Sequence, residues 1–207
     1  MAQTPNINAD IKDAIDRVKG QLRPLMAELS AEEAAQVLLE QTTGLNADSP
    51  HGANTPKRFA RMLKEMTTPE DFEFTTFDAD GMEDMIVMQD IPFVSLCNHH
   101  IVPFIGVAHI AYIPIHKMVG LSKLARTVRY HSKALQVQEK LTHDIADDLE
   151  ARLSPLGVGV VMEAEHMCMT IRGVQTPGTK TTTSTMRGVF ADHSRTAKAE
   201  FMSIIGK

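Results

Sequence analysis

Apolar residues recur at every third or fourth position near the start of the chain: Ile7, Ile11, Ile15, Val18, Leu22 and Leu25. That is the period of one buried helix face, and Pro24 kinks or ends the predicted helix. Ser30 and Glu33 stand at capping-box spacing, which predicts a second helix starting there. Thr55-Pro56 reads as an N-cap followed by proline at the first helical position. Phe59, Met62, Leu63 and Met66 supply the apolar stripe of that next helix. Residues 43–54, rich in Gly, Asn, Asp and Ser, read as a loop.

From about residue 84 the pattern shortens. Residues 85–88, 91–96 and 104–115 are β-branched or aromatic runs punctuated by Asp90 and Pro103, and they read as strands. Residues 122–130 read as a helix. Residues 134–153 form a stronger one, with Val137, Leu141, Ile145, Leu149 and Leu153 one turn apart. Residues 157–171 return to strand, the threonine-rich 181–190 are another, and 195–205 close the chain with a helix. The predicted organisation is an N-terminal helical region, 1–83, followed by a β-β-α-α-β-β domain, 84–207. This is an α+β pattern of mostly antiparallel strands.

Composition narrows the possibilities. At 207 residues, 43 % hydrophobic and 23 % charged, the chain has the make-up of a globular protein with one sizeable core. It has no basic segment followed by an apolar run at its start, so a secretory signal is not expected. No apolar stretch reaches the roughly 20 residues that cross a bilayer. Two well-separated cysteines do not make a disulfide framework, and a reducing, cytoplasmic location is the expectation. The net charge of -5 gives no reason to expect nucleic-acid binding, so attraction for an anionic ligand must come from a local cluster.

Chemistry concentrates in two short segments, Cys97-Asn98-His99-His100 and His166-Met167-Cys168. Strand side chains alternate, so His166 and Cys168 are expected on one face, with Glu163 and Glu165 on the other. Thiolate with imidazole is a borderline-soft ligand set that suits zinc. Two cysteines and one histidine leave the fourth position of a tetrahedral ion open to water or substrate, as a catalytic zinc requires. Either cysteine alone would read as a small buried hydrophobe. Two of them, each with a histidine two or three residues away, favour the metal. Spacing does not choose among His99, His100 and His166.

At these residues the chain resembles GTP cyclohydrolase I. The resemblance is carried by Cys97-Asn98-His99-His100, Pro103-Phe104-Ile105-Gly106, Ala111-Tyr112-Ile113-Pro114, Gly120-Leu121-Ser122-Lys123 and Gln136-Val137-Gln138-Glu139-Lys140-Leu141-Thr142. It continues through Glu163-Ala164-Glu165-His166-Met167-Cys168-Met169, Arg172-Gly173-Val174 and the threonine-rich 181–190. It runs in order from about Thr55 onward. The family usually carries Glu where this chain has Asn98, at a position that is not a ligand.

The resemblance implies hydrolysis of GTP to 7,8-dihydroneopterin triphosphate and formate, on a tunnelling fold assembled as a homodecamer with active sites at subunit interfaces. It implies zinc held by Cys97, His100 and Cys168, with His99 and His166 as acid–base residues. An imidazole suits that work because its ordinary pKa lies near neutrality. Glu139 matches the carboxylate that reads guanine through its N1–H and amino group, a contact adenine cannot match, and Gln138 is expected in the same pocket. Ser122, expected to cap a helix, with Lys123, Arg126 and Arg172 matches the phosphate-binding positions. Arg58 and Arg61 match basic positions contributed across an interface. Cations in a helix's first turn oppose its dipole, and a bound phosphate would reverse that penalty. Arg129 reads equally as part of a basic exposed face.

Residues 173–181 nearly spell a phosphate-binding loop. Thr179 separates the glycine from the lysine, however, and the following residues favour strand over helix. His51, His109, His116, His131, His143 and His193 receive no role. Two other readings compete with the GTP hydrolase: a deazaguanine-pathway nitrile reductase, which would use a nucleophilic cysteine without zinc, and a non-catalytic zinc-stabilised nucleotide-binding ring. The Cys97/His100/Cys168 set opposes the first, and His99 with His166 opposes the second.

Overall fold

The computed structural model describes residues 17–18, 28–192 and 196–207. The helix expected over 7–25, with its break at Pro24, falls outside the described residues except for Arg17 and Val18; His193 and Arg195 also lie outside them. The chain forms two compact units, Met1–Lys64 and Glu65–Lys207.

In the first unit, helix α1 (Ala31–Thr43) starts where the capping box placed it. Ser30 Oγ accepts from the Glu33 N–H, and the Glu33 carboxylate accepts from the Ser30 N–H. Gly44, at φ 71°, closes the helix in the left-handed conformation that glycine adopts without steric cost. Helix α2 (Thr55–Thr67) includes Thr55 as its first residue, with Pro56 buried directly behind it.

The second unit is built on a five-stranded sheet in the order β5-β2-β3-β6-β7. Strands β2 (Ile86–Cys97), β3 (Pro103–Ile113), β6 (Gly157–His166) and β7 (Lys180–Gly188) are antiparallel neighbours, and β5 (Leu135–Gln136) joins β2 in parallel. A small pair, β1 (Thr76–Asp78) and β4 (Lys117–Val119), stands apart from it. Helices α3 (Leu121–Ser132) and α4 (Gln138–Leu153) cover one face of the sheet. Leu124, Val128, Leu141, Ile145 and Leu149 pack there with Phe104, Ile110 and Val160. Helix α6 (Ala197–Ile204) covers the other face, where Phe201 and Phe190 meet Ala111 and Val161. Between β6 and β7 lies the one-turn helix α5 (Met167–Thr170). The α+β class and the β-β-α-α-β-β order are as expected.

Four local expectations are corrected. Residues 85–88 and 91–96 belong to one strand, interrupted by a bulge between Met88 and Ile91. There Asp90 takes φ 53° and its N–H donates to His109 Nδ1 at 3.2 Å, so the strand continues past a residue that read as a break. The long helix begins at Gln138, because Leu135 and Gln136 pair with the end of β2. The strand from residue 157 stops at His166, and Cys168 sits in α5, so strand alternation does not relate the two side chains. Ser122 is the second residue of α3; Gly120 occupies its N-cap without a side-chain bond.

Candidate metal centre and active site

The site begins at the hairpin joining β2 to β3. The Cys97 N–H donates to Val102 O, and the Cys97 carbonyl accepts from Ile101 N–H at 2.8 Å and His100 N–H at 3.3 Å. Ile101 is held at φ 55°, a conformation costly for a β-branched residue. This tight reversal brings the Nδ1 atoms of His99 and His100 to 3.9 and 3.8 Å from Cys97 Sγ. Strand register then delivers the second cysteine. His166 pairs with Phe104 at the start of β3, so β6 ends beside the hairpin and α5 turns Cys168 toward it.

The ligand atoms of Cys97, His100 and Cys168 all lie within 4.8 Å of one another. Cys97 is buried, Cys168 half-buried and His100 exposed. Burial and the adjacent Cys97 push the Cys168 thiol above its ordinary pKa. Two neighbouring thiols resist becoming two neighbouring thiolates, and a cation between them reverses that penalty. The donor set therefore fits a metal ion.

His166 stands behind this group. Its ring stacks on Phe104, with centroids 4.7 Å apart and planes 2° from parallel. Its Nε2 lies 2.7 Å from Gln138 Oε1. Burial lowers its pKa, while the Glu139 carboxylate opposes that shift by favouring the charged ring. Glu139 is exposed in the first turn of α4. Arg172, from the exposed loop after α5, brings Nη1 to 3.0 Å from His100 Nε2.

That loop is tied down by a residue to which the sequence assigned no role. Glu165 accepts from the Gly178 N–H and from Thr170 Oγ1, each at 2.9 Å. The same two bonds, the Gly178 N–H foremost, hold its carboxyl below the usual range. No local motif signals this, because the loop itself brings the partners together.

Ser122, Lys123 and Arg126 lie along the first turns of α3. Arg126 lines a cavity of about 220 Å³ with Arg129, Lys133, Tyr130 and Glu70. Arg129 and Lys133 both pair with Glu70, at 3.5 and 3.3 Å. Arg58 and Arg61 are exposed on α2 in the first unit, where they line a shallow cavity with Asn54 and Lys57.

A family profile described as GTP cyclohydrolase I matches residues 31–206. The chain belongs to the GTP cyclohydrolase I family. The GTP cyclohydrolase 1 of Hydrogenobaculum sp. is 51 % identical over 152 residues, covering 73 % of this chain and 83 % of its own length. That of Aquifex aeolicus is 47 % identical over 175 residues, covering 84 % and 94 %. That of Streptococcus gordonii is 46 % identical over 180 residues, covering 84 % and 95 %. The GTP cyclohydrolase I match reaches further toward the N-terminus than the motifs did, taking in α1, and it contains every site residue named above. Among the described residues, no helix is long and apolar enough to cross a membrane.

Proposed function

We propose that this chain is a zinc-dependent GTP cyclohydrolase I, converting GTP and water to 7,8-dihydroneopterin triphosphate and formate by opening the guanine imidazole ring. Family membership supports the activity. The observation that carries the site is the convergence of Cys97, His100 and Cys168, with ligand atoms within 4.8 Å, beside a half-buried histidine. These three residues would hold zinc, which when bound activates water at neutral pH and polarises the bond under attack.

The other side chains supply recognition and proton transfer. Glu139, exposed at the start of α4, accepts from the guanine N1–H and amino group, and its charge lies close enough to His166 to favour the imidazolium. His166 and His99 exchange protons with the ring nitrogens as the C8 carbon is lost as formate. Ser122, Lys123, Arg126 and Arg172 take the triphosphate, with the α3 N-terminus contributing its unsatisfied N–H groups. Arg58 and Arg61 act on the site of a neighbouring subunit in a homodecamer. Residues 84–207 carry the catalytic chemistry, and the enzyme works in the cytoplasm, where its thiols stay reduced.

The test is to incubate zinc-loaded protein with GTP and measure formate together with the fluorescence of the oxidised pterin. Formate and pterin in equal amounts are expected. No formate from metal-loaded protein would refute the assignment.

A further inference from the structure

Gln138, the first residue of α4, is 1 % exposed. Its amide nitrogen faces three acceptors: Thr181 O at 2.9 Å, Met162 O at 3.2 Å and Thr183 Oγ1 at 3.2 Å. Two of these are carbonyls, which only accept. Turning the amide over would aim Oε1 at both of them, so its orientation is fixed by chemistry. Oε1 is then left facing His166 Nε2 at 2.7 Å. An amide oxygen only accepts, so that ring nitrogen carries the proton.

The support behind Gln138 has a single consistent direction. Thr142 Oγ1 donates to the Gln138 carbonyl at 2.7 Å. Its 2.6 Å contact with Thr183 Oγ1 is therefore donated by Thr183. Thr183 Oγ1 is left with lone pairs for the Gln138 amide, which lies 3.2 Å away. Phe104, fully buried and parallel to the imidazole, fixes the plane of the ring.

We propose that Gln138 is a positioning residue that locks neutral His166 in its Nε2–H tautomer, leaving Nδ1 as the ring nitrogen that exchanges protons with substrate. Gln138 thus works behind the pocket rather than lining it. The inference rests on the proposed role of His166 in GTP hydrolysis. The Nδ1–H tautomer would set the Nε2 lone pair against Oε1 and leave Nδ1 without a lone pair to take up the proton it must exchange.

The experiment is nitrogen-15 NMR of protein labelled in histidine, at a pH where the ring is neutral, with the His166 signals identified by their loss in His166→Gln. The wild type should show a protonated Nε2 and an unprotonated Nδ1. Gln138→Met, of similar volume, should mix the two tautomers and lower kcat severalfold, in proportion to the Nε2–H population lost, with KM for GTP and zinc content little changed. A protonated Nδ1 in a wild type that releases formate overturns this inference and leaves the activity standing. An unchanged tautomer and kcat in a folded Gln138→Met overturns it as well. Should that variant fail to fold, the wild-type spectrum decides alone. Absence of formate from the wild type strikes the proposed activity instead, and the tautomer is still read directly.

Discussion

Replacing Glu163 by Gln removes a carboxylate that receives ammonium groups from both Lys180 and Lys207. Hydrogen bonds from Lys180, then Lys207, bring its pKa from 4.5 to about 2. A fall of that size corresponds to roughly 3.4 kcal/mol of stability at neutral pH, which is an upper bound. The Glu163 side chain is only 13 % exposed, but Lys180 is 62 % and Lys207 35 % exposed, so water and salt screen both pairs. Open ion pairs contribute about 0.2–1 kcal/mol each, which sets the expected loss from the two pairs at about 0.4–2 kcal/mol. The folded pKa is the lower one, so the stabilisation is complete above the unfolded value near 4.5. It declines as pH falls from there toward 2. Denaturant titrations of wild type and Glu163→Gln, at equal protomer concentration and low salt, should differ by about 0.4–2 kcal/mol at pH 7. By pH 3.5 that gap should narrow by more than half, and it should also shrink in high salt. A gap independent of pH, or one below about 0.3 kcal/mol at pH 7, would refute the assignment of this carboxylate as the clamp.

Three further outcomes are expected. Cys168→Ala should lower zinc affinity at least about tenfold by metal analysis, because one of three converging donors is gone; undiminished zinc removes Cys168 from the site. Glu139→Ala should lose discrimination between GTP and ATP while keeping its metal, and unchanged selectivity would refute the guanine contact. At Gly106 a Cβ would lie 1.9 Å from the Glu163 carbonyl oxygen and 2.7 Å from the Ala164 Cα, which are backbone atoms of the paired strand. Gly106→Ala should therefore destabilise by about 3 kcal/mol, and a melting temperature within about 2 °C of wild type would contradict that contact.

Elements whose signal is local were legible in the sequence. The stripe Leu141, Ile145, Leu149 and Leu153 is buried as its spacing required, and the Ser30–Glu33 box forms as written. Failures occurred where distant chain decides the outcome. Residues 135–136 extend a helical pattern, yet the end of β2 claims them as a strand. Asp90 reads as a break until His109, across the hairpin, supplies an acceptor for its N–H. Past His166 the apolar pattern runs on without interruption, and only the structure places a helical turn there. The site divides in the same way. Cys97 and the adjacent His99 and His100 lie within three residues and read as one cluster, though spacing does not choose between the two rings, whereas the partners of Gln138 lie on β6 and β7, far along the chain.

The dependence of this chemistry on strand register explains how exposed reactive groups keep their geometry. His99, His100, Glu139 and Arg172 are all solvent-accessible, where side chains lose rotamer order easily. Their support is buried. Phe104 pairs with His166, Gly106 with Ala164 and Ala108 with Met162, and each pair joins β3 to β6 on the face packed by α3 and α4. A slip of one residue would turn Phe104, Ala108, Ile110 and Tyr112 out of the core and take His166 off its stacking partner. Gly106 makes the slip costlier still, because a residue with a Cβ brought into its place would meet the Glu163 carbonyl. The hydrophobic core that selects the register therefore also stacks His166 on Phe104 and brings Cys168 to Cys97. Mutations that weaken the β3–β6 pairing should then impair metal retention and proton transfer together, even when they touch neither group.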